Sequence, residues 1–374
     1  MPGHPLPDDA LAAFAEAYRT AVAEGYQPRG ETVGTNRRAA ATVAGERLGL
    51  TANQQRGRLA ALDMKQKGWA ATEQPAPFVV APLPSGEEPI EDLIARRANA
   101  YTRRHEAKEA RELVPVQINI EGAYGILHMG DPHVDDDGCD WPTLLRHLEL
   151  IDQTEGLFAA NVGDLSNNWV GHLARLYASQ GTTAAEAIRM VEWFVGRVRW
   201  LYLIGGNHDC WSGAADPVKW FASQAGAAYQ WHGMRLALRS PNGCEVRVNA
   251  RHDFAGTSQW NGAHAPAKAA RMGWARDHIY TCGHRHMAAH NTLFMNNGEH
   301  VAHAIRLGAY KVHDDFADSK GFPKENVPAA VTVVNPNSRD ALGRVTVFWD
   351  VEAAADFLRY LRKPRVRVAA GRPA

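Results

Sequence analysis

Residues 9 to 24 set Leu11, Phe14, Ala15, Tyr18 and Val22 at three- and four-residue intervals, which predicts an amphipathic helix that Gly25 can end. A second helix is expected from Asn36 to Leu48. A third is expected from Ala52 to Lys67, with Thr51 as its cap, Leu59 and Leu62 on one face and Gly68 at its end. Pro75, Pro77, Pro82, Pro84 and Pro89 then interrupt any regular pattern and mark a linker. Residues 90 to 113, rich in Arg and Glu, read as a charged, solvated helix. Beyond Pro115 the period changes. Short apolar runs recur at 124–129, 157–162, 200–204, 246–249 and 279–282, each closed by Gly, Asp, Asn or His. Helix-like segments at 142–152 and 183–198 lie between them, and 331–335 and 344–350 resemble further strands, so an α/β layered domain is expected. The chain therefore divides into a helical head (1–70), a Pro-rich linker (71–89), a charged helix (90–113), a layered domain (114–350), and a C-terminal helix with a basic tail (351–374). No internal repeat or low-complexity tract interrupts this order.

A length of 374 residues suits two domains, and 45% hydrophobic with 22% charged residues excludes a disordered, collagen-like or disulfide-scaffold chain. No apolar stretch approaches the ~20 residues of a membrane span, and Met1 to Asp9 lacks the order of a signal peptide. A soluble, cytoplasmic protein with no membrane partner is expected. Cys139, Cys210, Cys244 and Cys282 form no C-x-x-C pair and read as reduced thiols. The net charge is zero, yet residues 29 to 68 hold eight Lys/Arg against three Asp/Glu, and residues 359 to 374 hold six bases and no acid, so the remainder is acidic. Basic ends and an acidic middle suit an anionic partner gripped outside and cations held within. The second and third helices resemble a helix-turn-helix, in which Asn53, Gln54, Gln55, Arg56 and Arg58 would face nucleic acid. A plain packing or oligomerising module would show the same pattern.

Five apolar runs end in polar clusters: Gly130-Asp131-Pro132-His133, Gly163-Asp164, Gly206-Asn207-His208-Asp209, Arg251-His252-Asp253 and Gly283-His284-Arg285-His286. Ligands of α/β folds sit at the carboxyl ends of strands, and this mixture of carboxylate, imidazole and amide suits two ions such as manganese, iron or zinc. It is too nitrogen-rich for calcium and lacks the thiolates of a structural zinc site.

Taken in order, D-x-H, G-D, G-N-H-D, a lone His and G-H-x-H resemble the calcineurin-like metallophosphoesterase superfamily over residues 120 to 310. The resemblance implies a four-layered β-sandwich flanked by helices and a dimetal centre at one end. It implies that Asp131, His133 and His286 hold one metal, that Asp164 bridges, and that Asn207, His252 and His284 hold the second, manganese being the first choice and iron or zinc the alternatives. His208 would be the general acid. Two such ions can neutralise a phosphoryl group and acidify a water shared between them. The family's second Asp, three residues after the G-D aspartate, is here Asn167, so Asp209 or another group would have to orient His208. For the lone histidine, His264 and His232 compete with His252. The segment 306–315 adds Arg306, Tyr310 and Lys311, which with Arg285 would suit substrate contact.

The expected function is a dimetal phosphodiesterase acting on nucleic acid. The alternatives are a phosphomonoesterase or small-nucleotide phosphodiesterase, and a DNA-binding regulatory or assembly protein whose phosphoesterase domain is weak.

Overall fold

The computed structural model describes residues 8–26, 39–66, 86–169, 174–176, 178, 180–209, 216–273, 275–313, 321 and 327–363. The chain forms two compact units, Met1–Pro89 and Ile90–Ala374. Most of the proline-rich stretch, Gly68, Cys210 and the basic tail after 363 lie outside the described residues.

In the first unit, α1 (Asp8–Ala23), α2 (Ala40–Arg47) and α3 (Ala52–Gln66) close around Phe14, Ala41, Ala44 and Leu62. Thr51 and Gln54 cap α3 reciprocally: Thr51 Oγ1 accepts from the Gln54 amide (3.4 Å), and Gln54 Oε1 accepts from the Thr51 amide (2.9 Å). Gly45 lets α3 approach α2, because a Cβ there would lie 2.1 Å from the Gln55 side chain. Gln55 donates to the Leu50 carbonyl (2.8 Å). Gln55 is thus spent inside the unit, a correction to its expected outward role, whereas Gln54 caps the helix and stays exposed. Arg56 remains exposed, bonded to Asn53 (2.6 Å). Arg58 is half-buried, and its Nε is sealed from solvent without a hydrogen-bond partner.

The second unit opens with α4 (Ile90–Ala110), in which no residue is buried, as its charge pattern predicts. Twelve strands then build two six-stranded sheets. The first sheet contains β2 (Tyr124–Met129), β3 (Leu157–Asn161), β4 (Trp200–Gly205), β5 (Ala228–Trp231), β11 (Ala329–Val334) and β12 (Val345–Phe348), in the order β12-β11-β2-β3-β4-β5. Strands β2 to β5 run parallel, and β11 and β12 are added antiparallel. The second sheet contains β1 (Val114–Gln117), β6 (Gly233–Arg239), β7 (Glu245–Arg251), β8 (Ile279–Cys282), β9 (Ala289–Met295) and β10 (His300–Arg306), in the order β1-β6-β7-β8-β10-β9. Here β7, β8 and β10 are parallel neighbours.

Alternation along the strands sorts side chains into layers. Tyr124, Ile126, Tyr202 and Ile204 meet Met234, Leu236, Val248 and Ile279 between the sheets. Leu127, Met129, Leu203 and Val331 face α5 (Trp141–Gln153), α6 (Ala184–Arg197), α7 (Pro217–Gln224) and the C-terminal helix α9 (Val351–Arg362) through Leu148, Phe194, Phe221 and Leu358. On the far side, α8 (His264–Met272) packs Ala267 and Ala270 on Tyr280 and Ala302. The four layers are helices, sheet, sheet and helix. Every residue of β2 is buried, which explains why its run reads as continuously apolar and not alternating. His128 interrupts that run without being a ligand. Its ring bridges the Tyr202 hydroxyl (2.7 Å) and Thr332 Oγ1 (2.8 Å), and burial pushes its pKa down to about 3, so it is a neutral connector.

Candidate metal centre

The parallel strands β2, β3, β4, β7 and β8 all deliver their carboxyl ends to one edge, and each is followed by one of the five polar clusters. Side chains distant in sequence meet there. Asp131, His133 and His286 present ligand atoms that all lie within 4.8 Å of one another, and so do those of Asp164, His252 and His284. His286 Nε2 is 3.3 Å from Asp131 Oδ2, and His252 Nε2 is 3.1 Å from Asp164 Oδ2. Asn207 joins the second group through its amide oxygen, 2.8 Å from His252 Nε2. Of the three histidines competing for the lone position, His252 is the one in this cluster; His264 begins α8 and His232 lies between β5 and β6.

Glycines make the convergence sterically possible. A Cβ at Gly206 would stand 2.1 Å from Asp164 Oδ1, and one at Gly283 would stand 2.3 Å from Asp131 Oδ1. His133, Asp164, His284 and His286 all adopt positive φ (44°, 53°, 69° and 50°), a region that non-glycine residues seldom occupy and that concentrates at functional sites.

The donor chemistry fits cations. Asp131 Oδ1 and both ring nitrogens of His133 are buried with no hydrogen-bond partner, an arrangement costly to leave unfilled. Burial holds the His133 imidazole well below its ordinary pKa, with His208 acting in the same direction, and burial likewise lowers His284. Both rings therefore offer lone pairs near neutral pH. His252 Nδ1 donates to the Val162 carbonyl (2.9 Å), which turns Nε2 toward Asp164, Asn207 and His284 Nδ1 (3.1 Å). Fixing one ring nitrogen on a backbone carbonyl is how metal-binding histidines are commonly oriented. Burial alone would lower His252 and raise Asp164, but their mutual attraction prevails: His252 is pushed up to about 10 and Asp164 is held well below the carboxylate range. In the absence of a metal, a proton on Nε2 supplies the positive charge that these acceptors require.

Around the centre, several expected roles change. Asp209, considered as an orienter of His208, accepts from the backbone amides of Asp164 and Gly206 (both 2.8 Å) and Leu165 (2.9 Å), so it ties two site loops together. Burial and then the Asp164 charge push its pKa up to about 7. Asn167 contacts the acid candidate through its backbone, since His208 Nδ1 donates to the Asn167 carbonyl. The Asn167 side chain turns away, to Asp136 Oδ2 (2.6 Å) and Gln180 Oε1 (3.3 Å). Arg306, expected to meet substrate, is 1% exposed and donates to the Gly262 and Gly283 carbonyls (both 2.9 Å) and to Asp253 (3.0 Å). It is an internal strut. Tyr310 is also fully buried, its hydroxyl on His147 Nδ1 (2.7 Å). Arg285 stays at the rim, 3.4 Å from Asp253. Lys311 lies 2.9 Å from Asp136 and 5.0 Å above the Trp169 ring, which in turn stands edge-on to the His208 ring at 5.3 Å. Trp169 had no signal in the sequence, because nothing local marks an indole as facing a histidine 39 positions away.

Two mixed sheets face to face, helices outside and donors gathered at one strand-end edge decide the fold. This is the layered arrangement that the resemblance to the calcineurin-like metallophosphoesterases implies. No protein-family model matches it, and no curated protein does. Among solved structures it is similar to the calcineurin-like phosphoesterase YfkN from Bacillus subtilis, at 13% identity over 65% of this chain and 99% of that one, with a TM-score of 0.31. It is also similar to the NAD nucleotidase of Haemophilus influenzae (9% identity, 60% of this chain and 49% of that one, TM-score 0.32). A third is the 5'-nucleotidase of Candida albicans (11% identity, 64% and 54%, TM-score 0.31). The chain spans about half the length of these two nucleotidases. With identities and TM-scores this low, the functional argument rests on the chain's own site. Among the described residues, no helix is long and apolar enough to cross a membrane.

Proposed function

We propose that this protein is a dimetal phosphodiesterase acting on nucleic acid. The observation that carries the reading is the pair of three-residue donor groups at one edge, with Asp131 Oδ1 and both nitrogens of His133 buried and unpartnered. In it, Asp131, His133 and His286 hold one divalent ion, and His252, His284 and Asn207 hold the other, with Asp164 shared. When bound, such ions neutralise phosphoryl charge and acidify a water between them. The chain's own groups do the rest. Asp209 and the glycine turns fix the ligand loops, and His208, held through Nδ1 by the Asn167 carbonyl, keeps Nε2 beside the donor groups, 3.9 Å from Asp164, to give a proton to the leaving oxygen. Lys311, beside Trp169 and paired with Asp136, lines the same wall.

Nucleic acid is preferred over a small phosphoester because of the excess of five positive charges over residues 29 to 68 and the exposure of Arg56 on α3. Manganese is the ion to test first, ahead of iron and zinc. The test is metal-free protein titrated with Mn²⁺ and assayed on bis(4-nitrophenyl) phosphate, beside Asp164→Ala. Binding of about two ions per chain with metal-dependent hydrolysis, both lost in the variant, is expected. A chain that binds no Mn²⁺, Fe²⁺ or Zn²⁺ and gains no activity from them would end this reading.

A further inference from the structure

Trp260 is 95% exposed, the most exposed of the large hydrophobic residues described. It does not hang from a loose loop. Ser258 Oγ accepts from the amides of both Trp260 and Asn261 (3.2 Å each), and Asn261 Oδ1 accepts from the Ala263 amide (3.0 Å) and from Asn291 Nδ2 (3.2 Å). At the loop's start Phe254 is buried, and at its end the Gly262 carbonyl accepts from buried Arg306. The same guanidinium binds the Gly283 carbonyl beside His284, so one rigid strut joins the Trp260 loop to a ligand loop of the metal centre.

The segment that carries the loop is cationic. Arg251 lies over the Phe254 ring at 5.7 Å, Lys268 flanks Gly256, and Arg285 reaches Asp253. Asp253, the one acid between 251 and 276, already serves both Arg285 and Arg306. A protein-binding hot spot would enclose its tryptophan in an apolar ring, and a membrane-binding face would add further apolar side chains to it. An open indole on a segment this rich in cations instead matches what an unpaired base and its phosphates require, stacking plus backbone neutralisation.

We infer that the Trp260 loop is a stacking platform for single-stranded nucleic acid entering the metal centre. This rests on the phosphodiesterase reading for its purpose and names the form of substrate, since a duplex hides the base faces that an indole would stack on.

Binding is measured with full-length protein in excess chelator, so that no turnover intervenes, using a fluorescent oligothymidylate of about 15 nucleotides and a duplex of equal length. Trp260→Ala should weaken oligothymidylate binding roughly 5- to 150-fold, the range for one lost stacking contact, with duplex binding nearly unchanged. Trp260→Phe should retain most of the affinity, and both variants should keep the wild-type melting temperature because the side chain packs on little. Unchanged oligothymidylate affinity in Trp260→Ala, an equal loss for duplex, or a Phe variant as weak as Ala would each overturn the inference. Wild-type hydrolysis of bis(4-nitrophenyl) phosphate reports on the metal centre alone. Its absence alongside Trp260-dependent oligothymidylate binding would reject the phosphodiesterase and leave the platform standing.

Discussion

His208 is held by the main chain of Asn167 and not by its side chain: ring Nδ1 donates to the Asn167 carbonyl, while the Asn167 amide nitrogen is 2.6 Å from Asp136. A carbonyl fixes the ring and its tautomer without needing a particular side chain at 167. A substitution that places a carboxylate at 167 should therefore fail to help. Asn167→Asp would set a second carboxylate against Asp136, replacing a charge-assisted donor by repulsion in a buried setting. We expect it to destabilise the fold by about 2–4 kcal/mol and leave turnover no higher than wild type. Asn167→Ala should keep the His208 alignment. Denaturant midpoints and kcat decide, and a faster Asp variant would refute the carbonyl as orienter.

The glycine turns yield a sharper prediction about the metals. Alanine at 283 would place its Cβ 2.3 Å from Asp131 Oδ1 and 2.9 Å from Val162 Cγ2, so the carboxylate must swing out of the Asp131, His133, His286 group. In calorimetric titration Gly283→Ala should lose one of the two binding steps and keep the other. Two unaltered steps would show that Asp131 has room to yield.

Replacing His208 by alanine should leave metal content intact, because its ring lies outside both three-residue ligand groups. On an ester with a poor leaving group, turnover should fall by roughly 10²–10⁴-fold, and far less with 4-nitrophenolate, which departs unprotonated. Equal losses on the two substrates would move the proton donor elsewhere.

Acid should destabilise the second unit through histidines buried in neutral form. Burial pushes His128 down to about 3 and His147, His278 and His303 to about 4, whereas in the unfolded chain each titrates near 6.5. Below 6.5 the unfolded state takes up protons that the folded state refuses. Stability is therefore complete above that value and falls toward pH 4, by about 1.4 kcal/mol per pH unit for each proton. His128→Leu should remove one proton from that slope while lowering stability at pH 8, since the Tyr202 and Thr332 hydroxyls lose their shared partner. Melting temperatures from pH 4.5 to 8, in chelator, test this; a slope unchanged by the variant would exclude His128.

The layered core and the polar clusters at its strand ends could be read from residue order, because both are written locally. An apolar run closed by Gly and Asp is a strand delivering a carboxylate at its end, and Tyr124–Met129 and Ile279–Cys282 form strands with those bounds. Asp131, Asp164, His252 and His284 stand in those clusters, and the resemblance to the metallophosphoesterases, not the spacing, singled them out as candidate ligands. The strands β1, β5, β6, β9 and β10 stand outside the runs that this pattern marks, and two of them, β6 and β10, are internal to their sheet. Arg306, Tyr310 and Asp209 looked like site chemistry for the same local reason, being polar groups at strand ends. Their partners, the Gly262 and Gly283 carbonyls, His147 and the amides of residues 164, 165 and 206, lie 3 to 163 positions away, and most become neighbours only when the strands pair and the helices pack on them. Composition and spacing thus determined which residue types stand at the strand ends. Only the tertiary structure decided which of them converge in the two donor groups and which brace the loops behind them, and it alone set Trp169 against His208 and left Trp260 exposed, because burial and partner choice are properties of the packed chain.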